Sequence, residues 1–160
     1  MNEIRSKAYN ILNKLNIDSM PVDVDFVAKQ LNCEIQRIDP DDLPNDFPCD
    51  KNKFSGAIIK MEDKNYILLN KYDSLKRQKF TIAHELGHLV LENTDNVDCR
   101  ENMYSKDKSE LNANEFAGSL LMPKEWMKEV IDIIDDNYEL ANIFQVSKQA
   151  IEIRRRNIAL

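Results

Sequence analysis

The stretch FTIAHELGHLVL, residues 80–91, contains His84 and His88, the only two histidines in a chain of 160 residues. On an α-helix, residues four apart lie on one face, so both imidazoles can bind the same metal ion. Glu85 is rotated by about 100° from His84 and would stand beside the ion without binding it. This HExxH spacing is typical of zinc proteases, in which the glutamate is the general base.

The residues around the two histidines are apolar on nearly every side of the helix, which we predict over residues 74–92. A helix that is apolar all round is a buried helix, and two imidazoles inside it need a polar partner. One Zn2+ ion provides that partner, although Mn2+ or Fe2+ could replace it. Two unrelated histidines are the alternative, but they leave the spacing and the adjacent acid without a reason.

The HExxH motif alone does not define the third ligand. The metzincin extension requires glycine three residues and histidine six residues after the second histidine. Leu91 and Thr94 occupy these positions, so the sequence excludes the metzincin class. No further histidine remains, which leaves Cys99 and several acidic residues as candidates.

The segment ELNANEFAGSLLMP, residues 110–123, supplies the favoured third ligand. At about 100° per residue, Glu110 shares a helix face with Asn114, whereas Glu115 lies about 140° away and is expected to face solvent. A carboxylate that faces the core is costly unless it is paired or binds a metal, so we predict that Glu110 is a ligand. Asn114 is placed to hydrogen-bond a ligating histidine. The alternative role of Glu110 is that of an acid stabilised by the helix dipole.

Hydrophobic periodicity predicts a mostly helical α+β protein with a small three-stranded sheet. Helices are predicted over residues 2–15, 23–31, 74–92, 109–121, 124–135, 138–144 and 147–156, and strands over 33–38, 54–61 and 65–70. The polar segments 39–53 and 93–108 are predicted to be loops. We expect the strand over 65–70 to lie beside the active-site helix and to pair with an extended peptide substrate.

We interpret residues 1–160 as one metallopeptidase domain. Its predicted parts are N-terminal helices (2–31), the sheet (33–70), active-site helices (74–121) and C-terminal helices (124–156). The net charge of −6 argues against broad, sequence-independent binding to nucleic acids. No signal peptide and no membrane-spanning apolar run is recognisable, so we expect a cytoplasmic protein without a membrane partner.

The three cysteines, Cys33, Cys49 and Cys99, are widely spaced and form no CxxC pair. Neither a disulfide framework nor a cysteine zinc knuckle is therefore expected, and we interpret them as reduced thiols of a cytoplasmic protein. A second hypothesis is that the thiolate of Cys49 or Cys99 occupies the open position of the metal and keeps the site latent. Ordinary thiols in loops are the favoured interpretation.

Together, FTIAHELGHLVL and the ExxANxFAxxLLMP pattern of residues 110–123 resemble the ImmA/IrrE family of zinc metallopeptidases. The segment RQKFTIAHELGH (77–88), the hairpin over 55–70 and the tail ELANIFQVSKQAI (139–151) support the resemblance, which extends from about residue 5 to the end. It implies a compact thermolysin-like (gluzincin-type) metallopeptidase core. It also implies His84, His88 and Glu110 as zinc ligands and Glu85 as the catalytic acid and base.

The resemblance also implies a substrate. Characterised members of the family are similar in cleaving transcriptional repressors that contain helix-turn-helix domains, often those that control mobile elements or stress responses. The chain has no spare length for a DNA-binding domain, so we expect the repressor to be a separate protein encoded nearby. The resulting hypothesis is a zinc endopeptidase that relieves repression by cutting this partner.

The hydrolysis of a peptide benefits from a second group, besides the metal, that stabilises the developing oxyanion. Tyrosine and arginine side chains provide suitable donors. The sequence does not choose among the candidates Tyr72, Arg77, Tyr104 and Tyr138.

The C-terminal segment offers an alternative function of another class. ELANIFQVSKQAI (139–151) resembles a helix-turn-helix with its turn at Val146-Ser147, and Arg154–Arg156 could contact phosphates. The protein would then be a DNA-binding regulator with a structural zinc ion. However, a structural site normally uses protein ligands in all four positions, and it needs no glutamate in the place of Glu85. We favour the interpretation that these helices pack beneath the active-site helices.

Overall fold

The computed structural model describes residues 2–91 and 107–160 with their side chains, and the backbone of residues 97–100. Two helices lead into the sheet. Helix α1 (Glu3–Lys14) follows Asn2, whose side chain accepts a hydrogen bond from the backbone of Ile4. Helix α2 (Val24–Gln30) follows Asp23, which caps it in the same way. Both helices fall within their predicted ranges, because the apolar periodicity and the capping residues indicate the same boundaries.

The sheet contains the three predicted strands and one more. Strands β1 (Cys33–Ile38), β2 (Gly56–Lys60), β3 (Asn65–Asn70) and β4 (Val97–Arg100) lie in the order β1-β3-β2-β4. β1 is parallel to β3, whereas β2 is antiparallel to both β3 and β4. The prediction of a loop over 93–108 is therefore wrong for 97–100, where the backbone pairs with β2.

The position of β3 excludes one expectation about substrate binding. β3 lies between β1 and β2, and its backbone pairs with both neighbours. A strand that is paired on both sides has no free edge for an added peptide. The prediction that residues 65–70 pair with an extended substrate is therefore wrong. Within the described part of the chain, β1 and β4 are the outer strands of this sheet.

Helix α3 (Leu75–Val90) carries the HExxH motif across one face of the sheet. It begins after Ser74, whose side chain accepts a hydrogen bond from the backbone of Arg77. Its apolar residues pack with those of β2 and β3 in one core, which includes Ile58, Ile67, Leu69, Ile82 and Leu86.

Close packing of α3 on the sheet depends on Gly56. A Cβ atom at Gly56 would lie 2.4 Å from Cγ2 of Thr81, so only glycine allows β2 to approach α3 this closely.

The opposite face of the sheet is covered by the chain between β1 and β2. Because neighbouring residues of a strand point to opposite faces, Ala57 points away from α3. It belongs to a smaller buried cluster with Leu43, Cys49 and Phe54. A short 3-10 helix, Pro40–Asp42, interrupts the predicted loop over 39–53.

The cysteines differ from the expectation of three reduced thiols. Cys49 forms a disulfide bond, so that expectation is wrong for this residue, and its thiolate is not available to a metal in this structure. Cys33 is a free, buried thiol, and burial raises its pKa to about 11. The side chain of Cys99 lies outside the described part of the structure.

Helix α4 (Lys108–Leu121) packs against α3 and α1. Three shorter helices follow: α5 (Lys124–Ile131), α6 (Asn137–Phe144) and α7 (Lys148–Ile158). α5 ends four residues before its predicted end at 135. Gln145 ends α6 in a left-handed conformation with φ of 54°, and Ser147 caps α7, so a short turn separates these two helices.

An ion network joins α7 to α4 and α1. Arg154 is only 1% exposed, and its Nε donates to the backbone oxygen of Met122 at 2.9 Å. Its Nη1 donates to Oε1 of Glu115 at 3.2 Å, and Nε of Arg5 donates to the same oxygen at 2.6 Å. Glu115 therefore pairs with two arginines and is only 15% exposed, so the prediction that it faces solvent is wrong.

The same network removes most of the expected phosphate contacts. Arg154 is buried in the network, and Arg155 pairs with Asp135 at 2.7 Å. Of the three consecutive arginines, Arg156 alone is exposed. Arg154 of α7 therefore serves internal packing, which supports the interpretation that the α6–α7 pair braces α4. In the described residues, we also find no helix that combines the length and the apolarity needed to cross a membrane.

Candidate metal centre

The two imidazoles of α3 converge as the sequence predicts. His84 and His88 are one helical turn apart and are 0% and 1% exposed. Their ring centroids are 4.7 Å apart with an angle of 77° between the planes, and their Nε2 atoms are separated by 3.0 Å. Both Nε2 atoms thus point to a single place between the rings.

Glu110 reaches this place from the first turn of α4. Its Oε2 lies 3.2 Å from Nε2 of His84, and its Oε1 lies 2.9 Å from Nε2 of His88. Asp107 caps α4 and accepts a hydrogen bond from the backbone of Ser109 at 2.8 Å, which fixes the turn that carries Glu110.

The carboxyl group of Glu110 is ionised at neutral pH. Burial by itself would raise its pKa, but the hydrogen bonds with His84 and His88 outweigh burial and hold the pKa at about 2. The cluster therefore offers two imidazole nitrogens and one negative carboxylate.

The three side chains fit a divalent cation. Their ligand atoms all lie within 4.8 Å of one another. In a tetrahedral site with bonds of about 2.0–2.2 Å, ligand atoms are about 3.3–3.6 Å apart. The observed separations between Nε2 of His84, Nε2 of His88 and the oxygens of Glu110 are 3.0, 3.2 and 2.9 Å. An outward adjustment of about half an ångström or less would therefore accommodate an ion such as zinc.

A glycine in the motif allows α4 to approach the histidines. A Cβ atom at Gly87 would lie 3.1 Å from both Cα and O of Ala113 and 3.2 Å from Cδ1 of Phe116. These atoms belong to α4, so the absence of a side chain at Gly87 sets the distance between the two helices. Glu110 is one turn before Ala113, and its reach to the imidazoles depends on that distance.

The outer nitrogen of each imidazole also faces α4. Nδ1 of His84 lies 2.8 Å from Oδ1 of Asn114, the residue predicted for this contact. Nδ1 of His88 lies 3.5 Å from Oγ of Ser109, which the sequence reasoning missed. A helical wheel of α4 alone could not identify Ser109, because the contact depends on how α3 and α4 cross.

Glu85 is fully buried on the same turn of α3 as His84. The helical offset of about 100° places it to one side of the ring that precedes it. Its burial separates the carboxyl group from bulk solvent.

Arg77 lies on the same face of α3 as His84, because seven residues make about two full turns. Its guanidinium donates to Oγ of Ser55 at 3.1 and 2.7 Å and forms an ion pair with Asp73 at 3.2 Å. The side chain of Arg77 therefore links α3 to Ser55, the residue that precedes β2.

The three tyrosines that we considered as oxyanion donors have different surroundings. The hydroxyl of Tyr72 is exposed and hydrogen-bonds to Asp39. The ring of Tyr138 is exposed, and Nζ of Lys148 lies 4.4 Å from its centroid. Tyr104 lies outside the described residues.

A comparison with models of protein families finds a match that covers most of the fold and all three residues of the cluster. The model of the peptidase M78 family, described as the IrrE N-terminal-like domain, matches residues 28–156. The match includes the two motif helices and the sheet, and the chain belongs to this family. The resemblance derived from the two sequence motifs is thereby confirmed.

Among solved structures, the chain is similar to a Mycobacterium tuberculosis transcriptional regulator. The TM-score is 0.63 with 16% sequence identity, and the match covers 96% of this chain and 46% of that one. At this identity the similarity shows a shared fold, and this chain spans about half of the regulator's length. A search of curated proteins finds no match.

Proposed function

We propose that the protein is a zinc-dependent endopeptidase in which His84, His88 and Glu110 hold one ion and Glu85 transfers protons. The observation that carries this proposal is the convergence of two buried imidazole nitrogens and one ionised carboxylate, with the buried Glu85 on the same turn of α3 as His84. Membership of a peptidase family supports the same conclusion.

The bound cation would supply Lewis acidity, which polarises a carbonyl group and makes water a better nucleophile. Glu85 would accept a proton from the attacking water and later donate it to the leaving amine. Oδ1 of Asn114 would accept a hydrogen bond from the Nδ1–H group of His84, which leaves the Nε2 lone pair directed at the cation. Glu110 would contribute a negative charge that offsets the charge of the cation.

The ionised carboxylate and the number of ligands among the described residues distinguish this site from a structural zinc site. Structural zinc sites normally use four protein ligands, most often cysteines. The described residues form a cluster of three ligands, and Glu85 is buried on the same turn of α3 as His84. This arrangement favours a hydrolytic site over the alternative of a DNA-binding regulator that contains a structural zinc ion.

For the substrate, we propose a helix-turn-helix transcriptional repressor that is encoded near the gene of this protein. The support is the resemblance to the ImmA/IrrE family. The similar fold of a protein described as a transcriptional regulator is consistent with a regulatory setting. We further propose that the protein acts as one metallopeptidase domain with a thermolysin-like core.

The test uses the purified protein, zinc and the repressors encoded next to its gene. We expect the wild type to cleave one of them into two fragments that mass spectrometry can assign. Glu85→Gln should bind zinc with unchanged stoichiometry and show no cleavage, whereas Glu62→Gln, an exposed acid in the turn between β2 and β3, should cleave normally.

Two results would contradict the proposal. If Glu85→Gln cleaves as fast as the wild type, Glu85 is not the proton-transfer group. If His84→Ala retains one tightly bound zinc ion, the metal lies elsewhere.

A further inference from the structure

The two imidazoles are oriented in the same way relative to α4. Each directs Nε2 toward Glu110 and Nδ1 toward a polar side chain of α4. Asn114 is this partner for His84 at 2.8 Å, and Ser109 is the partner for His88 at 3.5 Å. Both contacts come from the helix that also provides the carboxylate.

This orientation requires one tautomer of each ring. A neutral imidazole that binds a cation through Nε2 carries its proton on Nδ1, and that N–H group needs an acceptor. The carbonyl oxygen of Asn114 is an acceptor for His84, and the hydroxyl oxygen of Ser109 is in the corresponding position for His88. A hydroxyl group can accept this bond and rotate its own proton away from the ring.

The local structure around Ser109 favours this role. Its backbone N–H donates to the capping residue Asp107, so the first turn of α4 is fixed. Ser109 immediately precedes Glu110, and the same turn therefore presents the carboxylate to both Nε2 atoms and the hydroxyl to Nδ1 of His88. A distance of 3.5 Å is long for an N–H···O bond, so Ser109 should contribute less than Asn114.

We infer that Ser109 is a positioning residue for His88. Its hydroxyl oxygen accepts a hydrogen bond from the Nδ1–H group of His88, and this bond selects the tautomer and holds Nε2 toward the cation. This inference rests on the proposed metal site, because the orientation of the ring matters only if Nε2 is a ligand.

The test compares Ser109→Thr with Ser109→Val, two variants of nearly equal shape that differ by the hydroxyl group. Zinc affinity is measured by competition with a chromophoric chelator. Loss of a residue that orients a metal ligand typically weakens binding by 10–100-fold. Because the contact is long, we expect Val to bind zinc about tenfold more weakly than Thr, and Thr to bind within about threefold of the wild type.

A second measurement separates positioning from general damage to the fold. The chain has two histidines, so 15N-detected NMR of the zinc-loaded protein gives two imidazole spin systems, and single substitutions assign them. We expect the Nδ1–H signal of His88 to persist in Ser109→Thr and to broaden by exchange with water in Ser109→Val. The corresponding signal of His84 should persist in both variants, because Asn114 is unchanged. Lys108→Ala, at the exposed preceding position, controls for changes in the helix terminus.

The outcomes distinguish the inference from the function on which it rests. If the wild type binds zinc and Val matches Thr in affinity and in the His88 signal, Ser109 has no positioning role and the inference is wrong. If the wild type binds no zinc, or His88→Ala binds it as tightly, the proposed metal site itself is wrong. If one variant does not fold, the same comparison is made between the wild type and Ser109→Ala, with the same two readouts.

Discussion

Replacement of Gly87 by alanine tests whether the approach of α4 to α3 creates the metal site. The added Cβ would lie 3.1 Å from Cα and O of Ala113. This is tighter than an ordinary van der Waals contact, so α4 would have to withdraw by a few tenths of an ångström. Glu110 and Asn114 would move with it, and a site of this kind tolerates only about 0.5 Å of displacement.

The expected change in stability combines two opposing effects. Overpacking of a close helix contact costs about 1–3 kcal/mol. Alanine in place of a glycine inside a helix stabilises by about 1 kcal/mol. We therefore expect Gly87→Ala to lower the free energy of unfolding of the metal-free protein by about 0–2 kcal/mol, and to weaken zinc binding at least tenfold.

Gly118 provides a matched control on α4. A Cβ atom there would lie 3.6 Å from Cδ of Arg154, which is an ordinary contact. Gly118→Ala should therefore stabilise the metal-free protein by about 0.5–1 kcal/mol and leave zinc affinity unchanged. Urea denaturation and chelator competition measure both quantities. If Gly87→Ala stabilises as much as Gly118→Ala and binds zinc normally, the helix distance does not determine the site.

Three further results are expected. Arg154→Met should lower the free energy of unfolding, measured in urea, by about 2–3 kcal/mol, because the hydrogen bonds to Met122 and Glu115 are lost. Arg156 is exposed, so Arg156→Met should leave this free energy unchanged. Equal effects of the two substitutions would contradict the ion network. Cys33 should resist iodoacetamide at pH 8 until the protein unfolds, as peptide mass spectrometry would reveal. Because burial raises its folded pKa from 9.0 to about 11, the protonated thiol favours folding below pH 9. Stability should therefore fall more steeply between about pH 9 and 11 in the wild type than in Cys33→Ala. Finally, the protein should not change the electrophoretic mobility of duplex DNA in a salt-sensitive way, because two of its three consecutive arginines form ion pairs within the protein. A specific mobility shift would support the hypothesis of a DNA-binding regulator.

The sequence predicts those features that depend on one helix or strand at a time. The spacing of His84 and His88 fixes their common face, and the wheel of α4 places Glu110 and Asn114 on the face that meets them. Hydrophobic periodicity located α1, β1, β3 and α4 within one or two residues of their observed bounds. Each of these inferences uses information carried by neighbouring residues.

Features that depend on distant parts of the chain were not predictable in this way. Glu115 lies on the face of α4 that the wheel assigns to solvent, but Arg5 and Arg154 from opposite ends of the chain cover it. The pairing of β3 on both sides follows from the strand order, which hydrophobic alternation does not specify. The contact between Ser109 and His88 likewise follows from the crossing of α3 and α4.

The first two turns of α4 present Ser109, Glu110 and Asn114 to the imidazoles of α3. These contacts should therefore form and break together. A force or a binding partner that lifted this part of α4 would remove the carboxylate and both acceptors of the ring protons in a single movement. A cation bound there, as we propose, would then be released in one step rather than gradually. The rate at which a strong chelator strips the protein would report how often these two turns open.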